Sequence, residues 1–173
     1  MVISRYWNLS RKIRILRNEA SNSPLVLKSL RTPALLDWSQ IAFIKCRLKH
    51  METWIERKRE IAEIYREELE GLPLTLPFSD RKAYHAYRDF AVRAKRRDKL
   101  RRYLRRKGIE TEVHYPLPLH LTKTYSYLGY KKGSLPISEE AAETVISLPI
   151  SPFTTQAECD YVIKKTKLFF KNG

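Results

Sequence analysis

Acidic side chains are scarce in this chain. Nineteen Asp and Glu stand against 34 Lys and Arg, which leaves a formal net charge of +15 over 173 residues. Such an excess suits a polyanion, an anionic substrate or an acidic partner subunit, and equally a solvated Lys/Arg-rich surface. Cysteine is also rare. Cys46 and Cys159 lie far apart without metal-ligand spacing, which argues for a reducing compartment and against a disulfide scaffold. No apolar run reaches the length of a membrane span. The opening Met1-Val2-Ile3-Ser4-Arg5 is not a signal peptide. Together these lead to the expectation of a cytoplasmic protein. No Ser/His/Asp triad and no His/Cys cluster emerges. Cys46, His50 and Cys159 fall within helical patterns, so no metal site is expected.

Glycine and proline are missing altogether between positions 36 and 69. Ile41, Ile44, Leu48, Met51, Ile55, Ala62, Tyr65 and Leu69 recur there in steps of three, four and seven. That spacing predicts one long helix with an apolar stripe. Unbroken, it would measure roughly 50 Å, so it must lean on something beyond its own small domain, or kink; Lys58 interrupts the stripe, and a kink or a change of packing partner is expected near it. Before it, Asn8 is read as the N-cap of a short helix bearing Leu9, Ile13 and Leu16. Val2-Ile3 is read as a strand stub, and Ser21-Asn22-Ser23-Pro24 as a turn.

Beyond Gly71 the pattern shortens. Leu74, Leu76 and Phe78 alternate between Pro73 and Pro77 as an edge segment would. Positions 85–93 alternate as a strand, with Tyr87 and Phe90 expected in the core. Positions 93–107 form a basic helix with Leu100, Tyr103 and Leu104 on its apolar side. Arg101, Arg102, Arg105 and Arg106 make it the natural place for a nucleic-acid contact, although no base-stacking pattern is interleaved with them. Tyr125, Tyr127, Leu128 and Tyr130 read as partial core packing with exposed hydroxyls. Ser138 is expected to cap a helix over 139–146, followed by a proline-bounded strand over 147–152. Thr154 or Thr155 then caps a last helix with Cys159, Val162, Thr166 and Phe169 inward.

The centre of the chain is Gly108-Ile-Glu-Thr-Glu-Val-His-Tyr-Pro-Leu-Pro-Leu-His120. Gly108 ends the preceding helix as a left-handed cap. Positions 111–115 alternate as a strand, which Pro116 and Pro118 stop, leaving His114, Tyr115 and His120 near an edge. Polar and aromatic residues at a strand end are suited either to ligand contact or to plain edge packing.

This motif strongly resembles the late motif of the DegT/StrS-type sugar-nucleotide aminotransferases, fold-type I enzymes that use pyridoxal phosphate. The likeness extends to Leu9–Asn18, to Leu36-Asp37 with Gln40, to His85–Arg93 and to the closing run around Ser147-Leu148-Pro149 and Asp160-Tyr161-Val162-Ile163. The resemblance implies an α+β fold: a long N-terminal helical arm, then a small, mostly antiparallel sheet with helices on one face. It divides the chain into a remnant of the large-domain edge (1–35), a linking helix (36–70) and a small C-terminal domain (71–173). It implies that His114, Tyr115 and His120 face a nucleotide-sugar substrate, with no catalytic and no cofactor-binding residue carried over.

Two departures from the family pattern bear on activity. Where members continue with His-Gly, this chain has Glu19-Ala20, and the cofactor's lysine lies upstream of that segment in the family. Lys12 matches a different part of the family pattern and is not its equivalent. Where members carry Gly-x-Asn-x-Arg, this chain has Arg31, Pro33 and Leu35. The implied function is therefore the C-terminal portion of an aminotransferase, a truncated gene product inactive as a lone chain and holding no cofactor by itself. The alternatives are one half of a split enzyme, completed by a large-domain chain or through a homodimer, and a repurposed basic module for nucleic acid. The exposed arm should drive self-association or recruit a partner.

Overall fold

A computed structural model describes residues 4–18, 36–80 and 82–171. The expectations for Val2-Ile3, Ser21–Pro24, Arg31, Pro33 and Leu35 lie outside the described residues. The chain divides into two compact units, Met1–His50 and Met51–Gly173.

In the first unit, helix α1 covers Trp7–Asn18. It begins one residue before the expected cap at Asn8. The Tyr6 carbonyl takes the first helical bond, from Ser10 N–H, and the Ser4 hydroxyl accepts Tyr6 N–H. Helix α2 spans Trp38–Leu69 and crosses the boundary between the units. Asp37 caps it: its carboxylate accepts Gln40 N–H at 3.0 Å, while the Gln40 side-chain oxygen accepts Asp37 N–H at 3.3 Å. This reciprocal pair satisfies donors that a helix start otherwise leaves orphaned. The Ser39 hydroxyl, foremost, holds the Asp37 carboxyl below the usual carboxylate range. The helix runs through Lys58 without a break in its assignment to Trp38–Leu69, and burial sets in shortly after it: Ile44, Leu48 and Met51 are exposed, whereas Ile61, Ala62, Tyr65 and Leu69 are fully buried.

In the second unit, β1 (Phe90–Arg93) pairs antiparallel with β2 (Val145–Leu148), Phe90 opposite Leu148 and Arg93 opposite Val145. Single antiparallel bridges extend the sheet on both sides, Thr75 to Arg93 and Glu112 to Ser147. Helix α3 (Arg97–Arg106) and helix α5 (Gln156–Lys171) pack with the C-terminal half of α2 into one core. Phe90, Val92, Ile146 and Leu148 meet Leu100, Leu104, Cys159, Val162 and Ile163 there. The fold is thus α+β with a small antiparallel sheet, as the pattern implies. Tyr87 and Phe90 are buried as expected. Gly108 follows α3 at φ +76°, its N–H donating to the Arg105 carbonyl, a conformation suited to glycine.

Several boundaries differ from the sequence expectations. The strand over 85–93 shrinks to its last four residues because carbonyls of its first half are engaged elsewhere. Arg59 donates to His85 O and Lys58 to Arg88 O, while Tyr87 sits at φ 41°. The strands expected over 74–78 and 111–115 persist only as the two bridges. Helix α4 covers Pro136–Thr144 rather than 139–146. Proline pre-sets the first helical turn, so Ser138 lies inside the helix instead of capping it. β2 accordingly starts earlier than expected, at Val145, and stops before Pro149, which has no N–H to give a ladder. Thr155 does cap α5: Glu158 N–H donates to its hydroxyl, and Thr155 N–H donates to the Glu158 carboxylate. Tyr125, Tyr127, Leu128 and Tyr130 are exposed rather than packed in the core.

Candidate functional site

The segment after the Glu112 bridge turns away from the sheet and wraps toward α4, passing through short 3-10 turns at Leu119–Leu121 and Lys123–Leu128. Between them, Pro116 and Pro118 remove two donors, which suits an irregular path. The result is a shallow pocket of about 580 Å³ whose walls include His114, Tyr115 and His120 together with Tyr125, Ser138 and Val145. The three residues singled out in the sequence therefore share one cavity. Leu117, Leu119, Leu128 and Leu135 give it an apolar lining.

Each histidine is held by a carboxylate that sequence reasoning did not connect to it. His114 Nε2 lies 2.6 Å from Glu112 Oε2 and 4.0 Å from Asp89 Oδ1. His120 Nε2 lies 3.1 Å from Glu139 Oε1, with the imidazole almost entirely buried. An ionised carboxylate only accepts, so both Nε2 atoms carry the hydrogen. In the neutral ring Nδ1 is then an acceptor, and neither Nδ1 has a partner among the described residues. Tyr115 is 69% exposed and brings a phenol that can donate or stack.

Glu139 does more than orient one ring. Its carboxylate also accepts Gly133 N–H at 2.8 Å and Leu135 N–H at 3.3 Å, and these bonds close the turn before α4. The Gly133 N–H above all, with His120 assisting against the cost of burial, keeps the carboxyl below its ordinary range. The sequence signal for Glu139 was only its place in the first turn of a helix. Glu112 sits two residues before His114, a spacing that puts both side chains on one face of an extended segment.

The basic helix is less uniformly outward than its sequence suggests. Arg97 is buried and donates to Ala142 O and Val145 O, tying α3 to α4 and β2. Among the described residues no group of His, Cys, Asp and Glu could hold a metal ion, and no helix is long and apolar enough to cross a membrane.

The small antiparallel sheet, backed by helices, is edged by the histidine-tyrosine pocket. Comparison with known proteins makes this specific. The profile of the DegT/DnrJ/EryC1/StrS aminotransferase family matches residues 1–167, and the chain belongs to that family. Its members are pyridoxal-phosphate-dependent aminotransferases.

Among curated relatives, the erythromycin biosynthesis sensory transduction protein EryC1 of Saccharopolyspora erythraea is 38% identical over 92% of this chain and 44% of its own length. The dTDP-3-amino-3,4,6-trideoxy-alpha-D-glucose transaminase of Streptomyces venezuelae is 36% identical over 90% of this chain and 41% of its own length. Among solved structures, S. venezuelae DesV in complex with a ketimine intermediate superposes with a TM-score of 0.88 at 33% identity. That alignment covers 99% of this chain and 46% of DesV. The chain thus spans less than half the length of the curated relatives it matches.

Proposed function

We propose that this chain is the small-domain portion of a sugar-nucleotide aminotransferase and that its pocket contacts the nucleotide-linked sugar. The observation that carries the reading is the convergence of His114, Tyr115 and His120 on one cavity in a chain of this family. With Nε2–H committed to Glu112 and Glu139, the two Nδ1 atoms are acceptors for sugar hydroxyls, and the Tyr115 phenol donates to, or stacks on, the ligand.

Pyridoxal phosphate supplies the electron sink for amino transfer when bound. It is held in such chemistry by an imine-forming lysine. No lysine lines this pocket, so its residues do not by themselves fit the cofactor. The 173 residues therefore act in substrate recognition, and amino transfer from glutamate requires a large domain supplied elsewhere. The short share of each relative that the chain spans favours completion by a further, large-domain segment.

The test is a fusion in which this chain replaces the matching portion of DesV behind that protein's own large domain. Transaminase turnover is expected. In that fusion His114→Ala or Tyr115→Ala is expected to raise KM about tenfold with a smaller change in kcat, the mark of lost binding. Unchanged KM in both variants would remove these residues from the substrate site.

A further inference from the structure

Helices α3 and α5 pack against each other in the second unit, and both are basic. Their carboxylates are Asp98, Glu158 and Asp160, and each is already engaged: Asp98 by Arg97, Glu158 by the Thr155 cap and Asp160 by Gln156. Lys99, Arg102 and Arg106 recur in steps of three and four, hence on one face of α3, and all three are exposed. Lys99 and Arg106 stand one turn to either side of Tyr103, which brings that face up to the line where the two helices meet.

Rings and cations are interleaved along that seam. Phe169 of α5 lies against Tyr103 of α3, with ring centroids 5.4 Å apart. The Arg96 guanidinium sits 5.3 Å from the Phe169 centroid, and Lys107 Nζ sits 5.9 Å from that of Tyr103. Lys165 Nζ lies 5.0 Å from the Tyr161 ring, whose hydroxyl donates to the Lys107 carbonyl at 3.1 Å and ties this pair to the others. Tyr161 is 42% exposed, while Tyr103 and Phe169 are half-buried. Part of each ring therefore reaches solvent among cations. The basic run shows no such interleaving in its own sequence because two of the three rings belong to α5.

Cations whose neighbouring carboxylates are all engaged attract a polyanion. Rings held among those cations add flat surface on which unpaired bases stack. A duplex keeps its bases within the stack and would use the charge alone. A bilayer is met by apolar side chains that enter it, whereas the rings here are packed into the seam. We propose that the α3–α5 seam binds single-stranded nucleic acid, with Lys99, Arg102 and Arg106 along the phosphates and Tyr103, Tyr161 and Phe169 against the bases. The inference is independent of the aminotransferase reading, because it is read by binding to this chain without turnover.

The experiment is fluorescence anisotropy of a fluorescein-labelled oligothymidylate titrated with the 173-residue chain at several salt concentrations. Saturable binding is expected, with log affinity falling linearly with log salt. Arg102→Gln/Arg106→Gln is expected to weaken it about tenfold or more and to flatten that slope by about 1.4, the share of two phosphates. Lys131→Gln/Lys132→Gln removes equal charge from an exposed loop and is expected to cost less than about twofold, because charges off the contact are screened. Tyr161→Leu is expected to weaken binding about fivefold or more at an unchanged slope, as loss of a stacking ring does. Tyr161→Phe keeps the ring and is expected to bind like the parent. Both arginines are exposed, so their pair tests the surface whatever the ring variants do to stability. Equal losses in the two charge pairs would mean diffuse attraction and would overturn the proposal, as would absent saturation or full binding by Tyr161→Leu. Tighter capture by phosphatidylserine vesicles than by the oligonucleotide would assign the face to a membrane and overturn it as well.

Discussion

Glu139 shows how one side chain can set the shape of a site it does not enter. Its carboxylate gathers Gly133 N–H, Leu135 N–H and the His120 imidazole, so the turn before α4 and the buried ring are fixed together. Its pKa is depressed in the fold. A depressed carboxyl contributes stability that is full above its unfolded pKa and is lost as pH falls through its folded pKa. The melting temperature of the parent is therefore expected to fall on acidification below the ordinary glutamate range, and part of that slope should vanish in Glu139→Gln. Parallel pH profiles for the two proteins would contradict this role.

Tyr65 belongs to the same scale. It is fully buried against Phe90, with ring centroids 5.1 Å apart, and donates to the Pro149 carbonyl at 2.9 Å. Tyr65→Phe is expected to cost about 1–2 kcal/mol, because a half-buried carbonyl loses its donor. Tyr65→Ala should cost about 3–5 kcal/mol through the cavity it leaves. Urea titration of the two variants measures both, and a Tyr65→Phe cost near zero would mean that the hydroxyl contributes nothing.

At the scale of elements, α2 is the informative case. Its residues from Ile61 onward are sealed into the core, whereas Trp38, Phe43, Ile44, Leu48 and Met51 remain exposed. One continuous stripe in the sequence is therefore used in two different ways. Its C-terminal half builds this domain, and its N-terminal half offers apolar surface of the kind that marks an interface. Sedimentation velocity of the parent is expected to show concentration-dependent association, and Leu48→Glu with Met51→Glu should shift it toward monomer. A monomeric parent across the accessible range would count against an interface on this helix.

The elements were unequally legible. The helices α2, α3 and α5 could be read because their apolar periodicity is long enough to dominate. The strands were overcalled, because alternation over five to nine residues does not say whether the carbonyls are free to pair. Arg59 and Lys58 take those of His85 and Arg88, and Pro116 ends pairing beyond Glu112. Both competitors depend on tertiary proximity that no local pattern encodes. The residues of the candidate pocket were legible as a motif, His114 to His120, but their hydrogen-bond partners were not. Glu139 lies nineteen residues from His120 and Asp89 lies on another strand end, so neither carboxylate could be assigned from spacing.

At the scale of the whole molecule, the chain belongs to an aminotransferase family while spanning less than half of its relatives' length, and the histidine pocket is the recognition surface proposed for it. The histidine pocket, the seam of rings and cations between α3 and α5 and the exposed half of α2 all lie ready to meet something else. The account predicts that the covalent centre of amino transfer sits on another polypeptide segment. The direct test is visible absorbance of the chain purified from its own host, before and after borohydride reduction, with mass analysis of the reduced label. The prediction is that a reducible band, where present, is traced to a companion large-domain segment, and that the 173 residues alone show neither a stoichiometric label nor transaminase turnover. A single labelled lysine within these 173 residues, accompanied by turnover without any companion, would contradict it.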